Sequence, residues 1–240
     1  MSDLGEIIAR SHRIVFFGGA GVSTESGIPD FRSADGLYSQ ESGVNYPPEE
    51  VLSHSFFISH PEEFYAYYTT NLIHPEARPN TAHLVLAQWE RQGILTSVVT
   101  QNIDGLHQMA GSKNVLELHG SVHRNYCMTC GRRYGLDVVL AAENVPHCQC
   151  GGIIRPDVVL YEENLDEAVL NQSMRDISNA DTLIVGGTSL NVYPAAGLLQ
   201  FFSGDNLVLI NKDPTPADRR ATLVIHAPIG ETFAEFLPTT

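Results

Sequence analysis

At 240 residues, with 43% hydrophobic and 18% charged residues, the chain has the size and composition of one large globular domain or of one domain carrying a smaller insert, and extensive disorder is excluded. Its 28 acids against 14 Lys and Arg give a formal net charge of -14, which argues against nucleic acid as a direct partner, because such binding relies on clustered cations. The opening MSDLGEIIARSHR lacks a secretory pattern and no run reaches membrane-span length, so a cytoplasmic chain without membrane contact is expected. An acidic surface favours cationic partners such as lysine-rich protein segments, with simple solubility as the alternative.

In chain order, Leu4, Ile7 and Ile8 predict a short amphipathic helix over 3–11, and the β-branched and aromatic run 14–17 predicts a strand buried on both faces. That strand opens directly into GGAGVSTESGIPDFRS, residues 18–33. Gly18, Gly19 and Gly21 let the backbone turn sharply and lie close to a bound phosphate. The hydroxyls and the acid of 23–26 predict the start of a helix whose free N–H groups face the glycines. The dinucleotide fingerprint GxGxxG is incomplete: Thr24 stands in its third glycine position, and no acid-ended second strand follows. A pyrophosphate loop in a non-standard connectivity is the expectation, and a tight, ligand-free βα turn is the alternative.

Residues 34–48 are rich in Gly, Ser and Pro and read as a long loop placed to cover the glycine turn. Helices are predicted over 48–59 and 61–73, the second supplying Phe64, Tyr65, Tyr67 and Tyr68 to a core or a groove wall. Asn80 or Thr81 caps a further helix with the apolar face Leu84, Val85, Ala87 and Trp89, ended by Gly93. Apolar strands follow at 94–100, 115–118, 182–185, 207–210 and 223–225, and a last helix at 231–237. Alternating strands and helices predict an α/β fold with a doubly wound parallel sheet.

The polar residues fall at the carboxyl ends of these strands: the glycine turn, then Gln101, Asn102, Ile103 and Asp104, His119, Thr188 with Ser189, and Asn211. In open α/β sheets that edge binds the ligand. Asn211, at a late strand end, is placed to replace the missing acid as a ribose partner. His83, in a helix, and His107, in a turn, read as structural; Asp104 has helix capping as its alternative role, and Arg32 has pairing with a neighbouring acid.

Cys127 and Cys130 are separated by 17 residues from Cys148 and Cys150. Two close pairs at this distance fit a tetrahedral zinc site, although the second pair is CxC rather than CxxC; a redox pair or a disulfide is the alternative. Four protein thiolates leave no open coordination position, so the ion is expected to be structural and to hold an insert of about 121–155.

Taken in order, GAGVSTESGIPDFRS, TQNIDGLH, ELHGS, the four cysteines, RPDVVL, GGTSLNVYPAA and the late strand ending in Asn211 resemble the bacterial-type members of the sirtuin family, NAD-dependent protein lysine deacylases. The resemblance implies a Rossmann-like domain (1–33, 76–120 and 156–240), a loop and helical insert (34–75) and a small zinc-ribbon module (121–155). It also implies NAD as co-substrate, one structural Zn2+ and acylated-lysine proteins or peptides as substrates; a monomer is the expectation for the chain. It places Ala20, Thr24, Phe31, Arg32, Gln101, Thr188, Ser189, Asn211, Lys212 and Ile229 against NAD. Asn102, Ile103 and Asp104 would surround the nicotinamide, with catalysis assigned to His119 and Asn102, and Val158, Val159 and Leu160 would pair with the substrate as an added strand. In the implied chemistry the acyl oxygen attacks the ribose carbon as nicotinamide leaves, and His119 is the general base for a ribose hydroxyl. Protein ADP-ribosylation and non-catalytic NAD sensing are the other functions such a pocket could serve.

Three departures stand out. Gly18 replaces the threonine usual before Gly-Ala-Gly, and Tyr161-Glu162-Glu163 stands where many members have an aromatic residue, Gly and Glu. The Tyr and Arg that hold an acyl carboxylate in desuccinylating members correspond here to Tyr65 and Tyr68, so uncharged acyl groups are expected.

Overall fold

The computed structural model describes residues 2–31, 33, 36–39 and 46–237. Helix α1 (Asp3–Arg10), capped by the Ser2 hydroxyl, leads into β1 (Ile14–Gly18). A long excursion then carries α2 (Pro48–Val51), α3 (His54–Ser59), α4 (Pro61–Asn71) and α5 (Thr81–Arg91) before β2 (Leu95–Thr100). After α6 (Leu106–Ala110) and β3 (Val115–Glu117) the chain makes β4 (Gly120–Cys127), β5 (Arg133–Tyr134), α7 (Leu136–Leu140) and β6 (Ile154–Val158). It returns through α8 (Glu167–Asn179) to β7 (Thr182–Gly186), β8 (Asn206–Ile210), β9 (Leu223–Ile225) and α9 (Ile229–Phe233).

The main sheet has six parallel strands in the order β3-β2-β1-β7-β8-β9. Winding runs outward from β1 to β3 and then restarts beside β1 with β7, so the switch point lies between β1 and β7. Both faces of the sheet are covered, which is why the central strands β1, β7 and β8 are largely apolar without alternation. Ile14 and Phe16 join α1, α5 and α9 in one core. Val15 and Phe17 point the other way, into a core with Ile177 of α8 and Leu198 and Leu199 of a 3-10 segment.

A second layer sits over the carboxyl edge. Its three-stranded antiparallel sheet, β5-β4-β6, packs Val122 against the aromatic core of α2–α4, which includes Phe57, Phe64, Tyr65, Tyr67 and Tyr68. Strand β6 carries this sheet to Val158. Among the described residues, no helix is long and apolar enough to cross a membrane.

The helix expected over 23–26 does not form. Two single 3-10 turns, Ala20–Val22 and Thr24–Ser26, end at Gly27 with φ +83. The hydroxyls that suggested caps are used elsewhere: Thr24 Oγ1 donates back to the Gly21 carbonyl at 3.0 Å, and Ser23 Oγ donates to Asp104. The predicted helix over 48–59 is split into α2 and α3 because Ser53, whose Oγ accepts the Phe56 N–H, caps a new start. His107 lies within α6 rather than in a turn.

Candidate active site

At the switch point the two glycine turns meet backbone on backbone. Gly21 N–H donates to the Gly187 carbonyl at 2.8 Å, and Gly19 N–H donates to the Gly186 carbonyl at 3.2 Å. A Cβ on Gly21 would lie 2.8 Å from the Gly187 Cα, and Gly187 itself sits at φ +59. Side chains are therefore excluded from the crevice floor, which is lined by peptide groups. Ala20 and Thr24 are half-buried on its rim, and buried Ile229 packs against Gly186 from below.

The segment after β2 turns its side chains into the same crevice. Gln101 Nε2 donates to Thr188 Oγ1 at 3.2 Å, which joins the ends of β2 and β7, and Ser189 follows on the same turn. Asn102 Nδ2 donates to Ser23 Oγ at 3.0 Å, while that hydroxyl donates to Asp104 Oδ2 at 2.6 Å. Asp104 Oδ1 accepts the Leu106 N–H, so the carboxylate does cap α6 as well as reach the crevice. Ile103 and Phe31 are both partly buried and both pack against the aromatic core.

Ser23 is the functional candidate that the sequence reading missed. It is buried and bridges Asn102 to Asp104, yet its partners lie 79 and 81 residues away, so no local pattern could reveal the bridge.

His119 sits between the two layers. Its Nδ1 is 3.0 Å from the Gln101 carbonyl, which can only accept, so Nδ1 carries the proton and Nε2 presents a lone pair. Burial pushes its pKa below the ordinary histidine value, against an opposing contribution from the Gln101 bond. Its carbonyl accepts the Val159 N–H at 3.0 Å. The next residue, Gly120, has φ +77 and is pressed so closely on the Asp157 carbonyl that no side chain could fit.

Val158 pairs with Gly120 across the small sheet, and Leu160 is buried with its N–H on Glu163 Oε2 at 2.9 Å. The N–H groups of Val159 and Leu160 are thus engaged within the protein, and the carbonyls of Val158 and Leu160 already accept from Arg155 and from the Glu163 N–H. Glu163 anchors the segment. Burial alone would raise its pKa, but the bidentate Arg155 pair at 2.8 and 2.9 Å, the Leu160 N–H and His54 bring it down to about 2.

At the far end of the edge, the Asn211 side chain donates to the Asp213 carbonyl at 2.7 Å, and Lys212 is exposed. Arg32 lies outside the described residues. His83 and His107 are buried with ring centroids 4.7 Å apart. Burial lowers His83 to about 4, despite an opposing contribution from Asp104, and takes His107 well below the usual value, so both are neutral packing groups.

The four cysteine sulfurs lie within 4.8 Å of one another, with Cys127–Cys150 at 3.5 Å and Cys130–Cys148 at 3.6 Å. A disulfide needs about 2.05 Å, whereas a tetrahedron with Zn–S bonds of about 2.3 Å has edges of about 3.8 Å. The cluster fits one structural zinc. The Cys150 N–H and the Tyr134 hydroxyl push Cys148 down to about 6, towards the thiolate that a metal ligand must be.

The chain as a whole is similar to known proteins. The Sir2 family model matches residues 19–194. The chain is 58% identical over 235 residues to an NAD-dependent protein deacetylase of Clostridium acetobutylicum, covering 97% of this chain and 96% of the relative. It is 57% identical over 239 residues to an NAD-dependent protein deacetylase of Clostridium perfringens, covering 99% and 98%. Among solved structures, a Sir2 complex with NAD+ and a p53 peptide has a TM-score of 0.85 at 42% identity, covering 98% of this chain and 96% of that one. A Sir2 protein bound to an acetylated peptide has a TM-score of 0.85 at 39% identity, covering 98% and 97%. The chain belongs to the Sir2 family.

Proposed function

We propose that the protein is an NAD-dependent protein lysine deacetylase, which moves the acyl group from lysine to ADP-ribose and releases nicotinamide. The observation that carries the reading is the fixed tautomer of His119, whose Nε2 is left as a base in a crevice that also holds Asn102 and Asp104. NAD supplies an activated glycosidic bond. The peptide-lined floor and the hydroxyls of Thr24, Thr188 and Ser189 are assigned to its phosphates and ribose, with Ala20, Phe31, Arg32, Gln101, Asn211, Lys212 and Ile229 as further contacts. Asp104 is assigned to accept from the carboxamide beside Ile103, and Asn102 to orient the reacting ribose. His119 Nε2 takes the proton from a ribose hydroxyl, so the histidine must enter the reaction neutral.

Val158, Val159 and Leu160 are assigned to the acyl-peptide, in a monomeric cytoplasmic enzyme that acts on protein rather than on nucleic acid or membrane. We divide the chain into the nucleotide-binding part (1–33, 76–120 and 156–240), the helical insert (34–75) and the zinc module (121–155). The aromatic core centred on α2–α4 and the antiparallel small sheet support setting these parts apart from the parallel sheet, although Val122, Val139 and Leu160 share that core.

The test is incubation with NAD and an acetyl-lysine peptide, following peptide mass and nicotinamide. Equal amounts of deacetylated peptide and nicotinamide are expected. A gain of ADP-ribose on protein, without deacetylation, would replace this reading by ADP-ribosyl transfer.

Acyl choice gives a second expectation. The Tyr65 hydroxyl donates to the Ile154 carbonyl, Tyr68 is fully buried, and Arg155 is committed to Glu163. Burial also raises both phenols well above their ordinary pKa, so neither becomes charged. No free cation therefore waits beside these tyrosines, among the described residues, for an acyl carboxylate. Acetyl-lysine peptides are expected to turn over at least about tenfold faster than succinyl-lysine peptides, since an unpaired buried carboxylate costs more than about 1.4 kcal/mol. Faster succinyl turnover in a matched peptide series would contradict this.

A further inference from the structure

We propose that the Tyr38 and Tyr161 hydroxyls form a strut that couples cofactor binding to acyl-peptide binding. The inference rests on the functional reading above. The two hydroxyls are 2.6 Å apart although their residues are separated by 123 positions.

Each tyrosine is held firmly on its own side. On the cofactor side, Leu37 N–H donates to the Asp30 carbonyl at 2.8 Å and Tyr38 N–H to the Phe31 carbonyl at 3.0 Å. The Tyr38 ring meets Phe31 edge-on, with centroids 5.6 Å apart. Any shift of Phe31 on binding NAD is therefore carried into Tyr38. On the peptide side, Tyr161 follows directly on Val158, Val159 and Leu160 and is bonded through both backbone groups: its N–H donates to the Leu52 carbonyl, and its carbonyl accepts the His54 N–H, each at 3.0 Å.

The residues after Tyr161 prevent this side from yielding. Glu162 takes the left-handed conformation, φ +76, and its two carboxylate oxygens accept from the Ser55 N–H and hydroxyl at 2.9 Å each. Glu163 is locked by Arg155 and His54. The Phe31–Tyr38 unit and the 158–163 segment are thus two stiff bodies that the hydroxyl pair bonds to one another, above the aromatic core that both Phe31 and Leu160 join. A bond between such bodies makes ordering one of them lower the cost of ordering the other, which appears as positive coupling between their ligands.

The experiment is a calorimetric double-mutant cycle on wild type, Tyr38→Phe, Tyr161→Phe and the double variant. ADP-ribose, which has no nicotinamide to lose, is titrated with and without saturating acetyl-lysine peptide. In wild type the peptide should tighten ADP-ribose binding. Each phenylalanine variant should lose roughly two- to tenfold of that tightening, the worth of one neutral hydrogen bond. The double variant should lose no more than either single, because all three remove the same bond. Titrating the peptide with and without ADP-ribose must give the same factors, since coupling is reciprocal; a merely structural defect would weaken both ligands without changing the ratio. An unchanged ratio in the variants, additive losses, or independent binding in wild type would overturn the strut. Failure of wild type to bind either ligand would instead overturn the functional reading on which it rests.

Discussion

Replacing His119 by alanine is expected to lower deacetylation by roughly two to four orders of magnitude, the usual worth of a positioned general base. The fold should survive, because the side chain is half-buried and its one protein bond goes to a backbone carbonyl whose other contacts remain. Nicotinamide release and peptide mass, followed together, check the loss. The pH profile of wild-type kcat/KM supplies a sharper check. The base must be unprotonated, so activity falls as pH drops through the His119 pKa. Burial has moved that pKa below the ordinary value of about 6.5. The acidic limb should therefore have its midpoint below that value, and activity should be flat through neutrality on that side. A midpoint above neutrality would assign the base role to another group.

Removing the zinc is expected to abolish activity although the ion lies outside the crevice. Structural Zn2+ contributes on the order of 10–16 kcal/mol in small peptides, more than the small sheet could recover by packing alone. The route to the crevice is short. Cys127 ends β4, and β4 begins at Gly120, the residue after His119; β6 pairs with β4 and ends at Val158. Loosening the cluster therefore frees both the base and the peptide segment. Cys148→Ser, or treatment with a strong chelator, should eliminate turnover and the folded signal of the module together, as followed by metal content, circular dichroism and activity. Full turnover in protein shown to be free of metal would refute this account.

Legibility in the sequence followed burial. β1, β7, β8 and β9 are largely apolar runs on a sheet covered on both faces, and such runs can be read without knowing their neighbours; β2 was legible from Val98 and Val99 beside Leu95 although Thr96 and Ser97 interrupt it. Strands β4 and β6 escaped notice. β4 alternates irregularly between buried and exposed residues, and its pairing with β6 is interrupted between Ser121 and Asn125. The helix expected after the glycine turn failed because capping hydroxyls are ambiguous. Ser23 and Thr24 satisfy the same residue preferences while bonding to Asp104 and to the Gly21 carbonyl. Strand ends located Gln101, Asn102, Asp104, Thr188 and His119, whereas the bridging role of Ser23 and the Tyr38–Tyr161 pair are long-range contacts with no local signature.

The contact between the two glycine turns also determines how this region can vary. At Gly19 and Gly21 an added Cβ would already fall within 2.9 Å of the 187–188 backbone or the Thr188 Cβ, and Gly187 adds a left-handed φ. Alanine is therefore as unwelcome there as tryptophan, and the tolerance of these positions is a threshold rather than a slope. Substitution is confined to the rim, at half-buried positions such as Ala20 and Thr24, while Gly18 at the end of β1 is closed as well, since an added Cβ would lie 2.6 Å from the Phe16 ring. The part of the protein with no side chains thus has the least freedom to change.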